Sequence, residues 1–181
     1  MAEVSRFWGG TSIGDKGPYS HDQYNRVFYT LMGDGNPNAG VAVNYLNELN
    51  VASAGNVPAN PITVDTGAAF VAGIYYTNTA SENLACAAPV APSPYRTDTV
   101  VLRADWAAQT VRLFLKAGTA SASYPAAAPA LTQTIGTTYE IPLFDVQLDS
   151  TGAVTLVNRR MYALFQAFTK PLVAKLLFGR A

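Results

Sequence analysis

The segment RTDTVVLRADWAAQTVRLFLKAGT, residues 96–119, alternates apolar and polar side chains in two consecutive runs. Val100, Leu102, Ala104 and Trp106 fall on one face of the first run, and Val111, Leu113, Leu115 and Ala117 on one face of the second. The opposite faces carry Arg103 and Asp105, then Thr110, Arg112 and Lys116. Successive side chains of an extended chain point to opposite sides, so this period of two predicts a half-buried β-hairpin.

Short strands and turns are expected around it. VAVNYLNELNVA (41–52) reads as one strand or two, and ITVDTGAAFVAGIYYTNTA (62–80) as two strands turning at Asp65-Thr66-Gly67. ENLACAA (82–88) offers another strand, and PVAPSPY (89–95) is a proline-rich loop. Residues 120–138 form a long Ala/Ser/Pro/Thr connection. YEIPLFDVQL (139–148) is a strand that Pro142 confines to an edge or a bulge. Asp149-Ser150-Thr151-Gly152 then turns into AVTLVN.

The period changes at both ends. Ser20 and Gln23 have capping-box spacing, Tyr24, Val27, Phe28 and Leu31 follow at helical intervals, and Gly33 and Gly35 stop the run. A helix over about 21–32 is predicted. Leu164, Phe165 and Phe168, then Leu172, Val173, Leu176 and Leu177, predict a helical tail. The expected fold is therefore mainly β, an antiparallel β-sandwich or barrel-like body of about eight strands with one N-terminal helix and a C-terminal helical tail. Residues 1–19 are read as an extended arm, 20–160 as helix plus β-rich body, and 161–181 as the apolar tail.

The composition removes several function classes. Twelve basic residues balance twelve acidic ones, so nucleic acid is not an expected partner. One cysteine, Cys86, and one histidine, His21, cannot make an intrachain disulfide or a structural zinc site. MAEVSRFWGG lacks an apolar signal core, and Lys170, Pro171 and Lys175 interrupt the late apolar segment, so neither a secretion signal nor a membrane span is expected. Only 13% of residues are charged, which fits a surface partly covered by other subunits as well as it fits an alanine-rich monomer.

Motifs that carry chemistry are weak. GGTSIGDKG (9–17) misses the phosphate-loop spacing, since Asp15 separates Gly14 from Lys16. DGNPNAG (34–40) alternates Asp34, Asn36 and Asn38, but Ala39 and Tyr45 stand where a calcium loop needs Gly and Glu. His21 lies at a helix start, and Cys86 reads as a small core residue. Glu82, Asp98, Asp105, Glu140 and Asp145 are the acids from which a glycosidase pair could be drawn. Tyr75, Tyr76, Trp106 and Tyr139 could stack on a sugar, although strand aromatics more often fill cores. No catalytic residue, cofactor site or metal site is assigned.

A series of segments in order resembles a family of tailed-bacteriophage virion proteins. Val64 to Asn78 follows V-x-x-G-x-A-x-V-x-G-x-x-Y-x-N, and Arg96 to Trp106 follows R-x-D-x-V-V-L-R-x-D-W. Pro129 to Thr134 reads P-A-L-T-Q-T, and Tyr139 to Val146 reads Y-E-I-P-L-x-x-V. Relatives often carry an acid-Arg-Arg run near the last strand, where this chain has Asn158-Arg159-Arg160. The resemblance implies a non-enzymatic tail, baseplate or tail-fibre component, made in the host cytoplasm and built into the virion. It would assemble with itself, as a trimer by analogy with fibres, and with other virion proteins. The alternative is a module binding a carbohydrate or receptor on the host surface. Expected partner contacts are Phe7, Trp8, Leu164, Phe165, Phe168, Leu172, Leu176 and Leu177, with packing of the tail on its own body as the competing reading.

Overall fold

The predicted hairpin forms: Arg96–Asp105 pairs antiparallel with Thr110–Lys116, from Thr99 opposite Lys116 to Asp105 opposite Thr110. These strands belong to a computed structural model that describes residues 39–163. The helix expected over 21–32, the arm, the tail from residue 164 onward and all eight expected partner-contact residues lie outside the described residues.

Twelve strands follow in chain order. They are β1 (Gly40–Ala42), β2 (Val51–Ser53), β3 (Ile62–Val64), β4 (Gly67–Val71), β5 (Ile74–Asn78) and β6 (Glu82–Leu84). Then come β7 (Arg96–Asp105), β8 (Thr110–Lys116), β9 (Gln133–Thr134), β10 (Thr138–Leu148), β11 (Val154–Asn158) and β12 (Tyr162–Ala163). They make three sheets: β12-β1-β4-β5, β11-β10-β7-β8 with β9 beside β10, and β2-β3-β6. The described residues are mainly β and contain no helix, and the sheets do not close into a barrel.

One apolar core serves all three sheets. Val41, Ala69 and Val71 come from the first, Leu102, Val111 and Ile141 from the second, and Val51, Ile62 and Val64 from the third. Val100, Leu102, Ala104, Val111 and Leu113 turn inward as their alternation requires, with Trp106 and Leu115 packed beside them. The opposite face of β7 departs from the expectation. Thr97, Thr99 and Val101 are also buried, so the strand is covered on both sides for much of its length. The long connection contributes to that cover, for Thr97 Oγ1 donates to the Ala126 carbonyl at 2.7 Å and Lys116 Nζ lies 3.4 Å from Thr132 Oγ1.

Two strand assignments change, and one is resolved between its alternatives. Residues 62–80 hold three strands, because Ala72 and Gly73 take positive φ of 48° and 76° and close a two-residue hairpin between β4 and β5. Of the edge and the bulge expected for Pro142 it is the bulge that forms, for β10 is a central strand with a register shift between Pro142 and Phe144. Proline donates no ladder hydrogen bond, and this bulge leaves Leu143 and Phe144 both buried. Met161–Ala163, expected to open the helical tail, instead extends the β body: Val41 N donates to the Met161 carbonyl at 2.7 Å, and β12 pairs with β1. That pairing is the one parallel ladder among the described strands.

Candidate functional site

The carboxylates that a hydrolase would need are committed to the framework. Glu140 is fully buried; its Oε1 lies 2.7 Å from Arg103 Nη2, and its Oε2 accepts from Lys116 Nζ at 2.7 Å and from the Thr132 amide at 2.8 Å. Asp98 takes both Nε and Nη2 of Arg96, at 2.7 and 2.8 Å, together with the Gly118 amide at 2.9 Å. Asp145 accepts from Thr99 Oγ1 at 2.8 Å and from Arg159 Nη1 at 2.6 Å. Asp105 caps its own hairpin turn through the Ala108 amide at 2.9 Å, and Glu82 is exposed on β6. Each buried acid therefore has its own cation.

The aromatic platform is not assembled either. Tyr76 and Tyr139 are core residues and Trp106 packs against the core, whereas Tyr75 projects from the other face of its strand. Cys86 is buried, and its Sγ donates to Asp98 Oδ2 at 3.5 Å. Burial, then the neighbouring Asp98 charge, pushes the thiol up to about 12. Since the thiolate is the nucleophile, this shift works against reaction at Cys86 at neutral pH. Alkylation by iodoacetamide at pH 8 is expected to be about a hundredfold slower in the native protein than in urea. Equal rates would show that the thiol is not enclosed in this way.

The feature with functional character is the loop between β1 and β2, read from sequence as strand. Asn44, Leu46, Glu48 and Leu49 have φ of 57°, 52°, 54° and 52°, the left-handed region that costs a non-glycine residue about 1 kcal/mol or more. A clamp holds this conformation. The Thr66 carbonyl accepts from the Asn47 and Leu49 amides at 3.1 and 3.0 Å, and the Asn44 amide donates to Glu48 Oε1 at 2.7 Å. Asp65 ties neighbouring segments together, accepting from Asn47 Nδ2 at 2.9 Å, the Thr66 amide at 2.7 Å and Ser81 Oγ at 3.0 Å. These donors, the Thr66 amide first, hold the Asp65 carboxyl below the usual carboxylate range.

From below, Arg160 Nη1 donates to the Glu48 carbonyl at 2.8 Å, and its guanidinium lies 5.0 Å from the Phe144 ring centroid. The result is an open depression of about 350 Å³ lined by Leu46, Asn47, Glu48, Asn50, Asp65 and Arg160. On the same loop Val43, Tyr45 and Leu46 are exposed at 45%, 43% and 54%. The loop thus combines exposed apolar side chains with a depression whose lining carries both charge signs, Glu48 and Asp65 with Arg160.

Sequence reasoning missed this site: of its left-handed residues only Asn44 is of a type that favours that region, and Leu46, Glu48 and Leu49 give no local signal. Asn158-Arg159-Arg160 gains physical roles here: Arg159 neutralises Asp145, Arg160 supports the loop, and Asn158 Oδ1 orients Arg160 by accepting from its backbone amide at 3.0 Å. No group of three or more potential metal ligands occurs among the described residues. Comparison with protein-family models, with curated proteins and with solved structures finds no match to this chain.

Proposed function

We propose that the chain is a structural component of a bacteriophage particle, a tail, baseplate or fibre adaptor that assembles with itself and with neighbouring virion proteins. The series of segments from Val64 to Val146 that resembles tailed-phage virion proteins supports this reading. The observation that carries it is the parallel pairing of β1 with β12, Val41 opposite Tyr162 and Ala42 opposite Ala163. Through it, residues 1–38 and 164–181 attach to adjacent strands of one sheet. Because the pair is parallel, the two extensions leave it from opposite ends, so one stiff body can join partners on two sides, and the internally neutralised acids supply stiffness without supplying a reaction. Phe7, Trp8, Leu164, Phe165, Phe168, Leu172, Leu176 and Leu177 remain the proposed partner contacts.

Two measurements test this. Light scattering of the purified full chain is expected to give a multiple of the monomer mass, with three copies as the leading value. Mass spectrometry of purified particles is expected to find the chain at a fixed ratio to other virion proteins. A monomer that is also missing from the particles would sink the proposal.

The depression beside Asp65 and Arg160 favours a second reading, a module that binds a host-surface carbohydrate. On that reading a glycan array gives hits that Asp65→Ala removes, and a blank array with the intact chain eliminates it.

A further inference from the structure

The sheet β12-β1-β4-β5 has two faces, and only one meets the shared core. Ala69 and Val71 of β4 and Ile74 and Tyr76 of β5 pack there. Ala68, Phe70 and Tyr75 consequently project from the other face, as does Ala163 beside Ala42. Phe70 and Ala163 form a cluster of their own, at 6% and 7% exposure, which no core residue of the other two sheets joins. Ala68 is 1% exposed, while the neighbouring Tyr75, its ring 5.4 Å from that of Phe70, remains 49% exposed. Side chains buried to this degree on a face turned away from the core require a cover, and no buried core residue of the other two sheets supplies it.

We infer that this outer face is the docking surface for the amphipathic segment 21–32 of the same chain. Three observations select that occupant. Its apolar residues Tyr24, Val27, Phe28 and Leu31 share one helical face, whereas Asp22, Gln23, Asn25 and Arg26 lie off it, which suits an element that buries one side. Residues 33–38 alone separate it from Ala39, and six residues reach at most about 20 Å, so it ends close to Gly40. Gly40 pairs with Phe70. Lastly, a twelve-residue helix is about 18 Å long, and four strands span about 14 Å from first to last axis, so the segment crosses the whole sheet.

The tail fits less well. It carries Leu172, Val173, Leu176, Leu177 and Phe178 within seven positions, which gives it apolar surface on more than one side, and it departs from an edge strand. With the N-terminal segment on the outer face, the tail keeps its apolar surface for neighbours. The inference does not depend on the virion reading.

The test is a photo-crosslinker, p-benzoylphenylalanine, introduced in place of Tyr75 in the full chain. Equal amounts of light and ¹⁵N-labelled protein are mixed and irradiated, and the adducts are mapped by mass spectrometry. Adducts within one chain, to peptides from residues 21–32, are expected. Phe28→Asp is expected to lower their yield about tenfold, and Phe168→Asp to leave it unchanged. Adducts to residues 164–181, light–heavy adducts between copies, the absence of any protein adduct, or a yield indifferent to Phe28→Asp would each overturn the assignment.

Discussion

Glu140→Gln should lower stability by about 3 kcal/mol, read as a fall in the urea midpoint at constant slope. Glu140 is fully buried between β7 and β9 at the start of β10, and one carboxylate answers Arg103, Lys116 and the Thr132 amide together. Glutamine keeps the shape but leaves both cations without a counter-charge. The loss sits at the low end for a broken buried pair because Arg103 and Lys116 are 30% and 21% exposed and can turn toward water. Arg103 also keeps its stacking on Phe114, where the guanidinium lies 3.9 Å from the ring centroid.

The same substitution should alter the acid limb of the stability curve. Burial pushes the Glu140 carboxyl up, but hydrogen bonds from Lys116, the Thr132 amide and Arg103 outweigh it, and the group is held below its ordinary 4.5. A carboxyl with a depressed folded value binds its proton more readily in the unfolded chain. Its stabilisation is thus complete above about pH 4.5 and lost as pH falls through the folded value. The Gln variant should lack this portion of the pH dependence. An acid limb identical in the two proteins would show that the cluster contributes nothing net. Replacing Arg103, Glu140 and Lys116 together by apolar residues of similar volume should cost less than Glu140→Gln alone, because no buried charge is then stranded.

The second large effect is expected from Gly152→Ala. Gly152 closes the β10–β11 turn with φ of 79°, and an added Cβ would meet the Val57 carbonyl oxygen at 2.0 Å. Neither atom can yield easily, because Val57 N donates to the Gly152 carbonyl at 2.9 Å and locks the two backbones together. Opening that contact would separate the loop after β2 from the turn after β10. A loss above about 3 kcal/mol is expected, or roughly 10 °C in the thermal midpoint. Gly136→Ala is the control. Its φ is 87°, but an added Cβ meets nothing within 4 Å, so only the conformational term of about 1 kcal/mol remains. Equal losses for the two variants would mean that the Val57 contact is not as close as described.

The β content and the central hairpin were legible because period-two alternation is local and is set by one buried face. The Asp149–Gly152 turn and the bulge at Pro142 were legible for a related reason, since each rests on a residue whose backbone chemistry allows few alternatives. What stayed hidden depends on partners distant in sequence. Nothing in Arg103, Lys116 and Glu140 as separate letters says that they share one buried site, nor does TVV announce that β7 is covered on both sides. The loop at 43–50 was read as strand because its apolar residues outweighed its asparagines. Its left-handed turns become visible only once Thr66, Asp65 and Arg160 close on it. Tyr162 was assigned to a helix because the apolar run beyond it dominates the local pattern, whereas its pairing partner is Val41.

That partnership between the first and last described strands has a consequence for how the protein is made. β1 is the first of the described strands to leave the ribosome, and its parallel neighbour β12 emerges only after almost the whole described chain has followed. Until then the first sheet has one flank open, and ordering its far strand requires closing nearly the longest loop the body contains. The body is therefore completed only once Tyr162 and Ala163 are available, with the apolar residues after Ala163 emerging next.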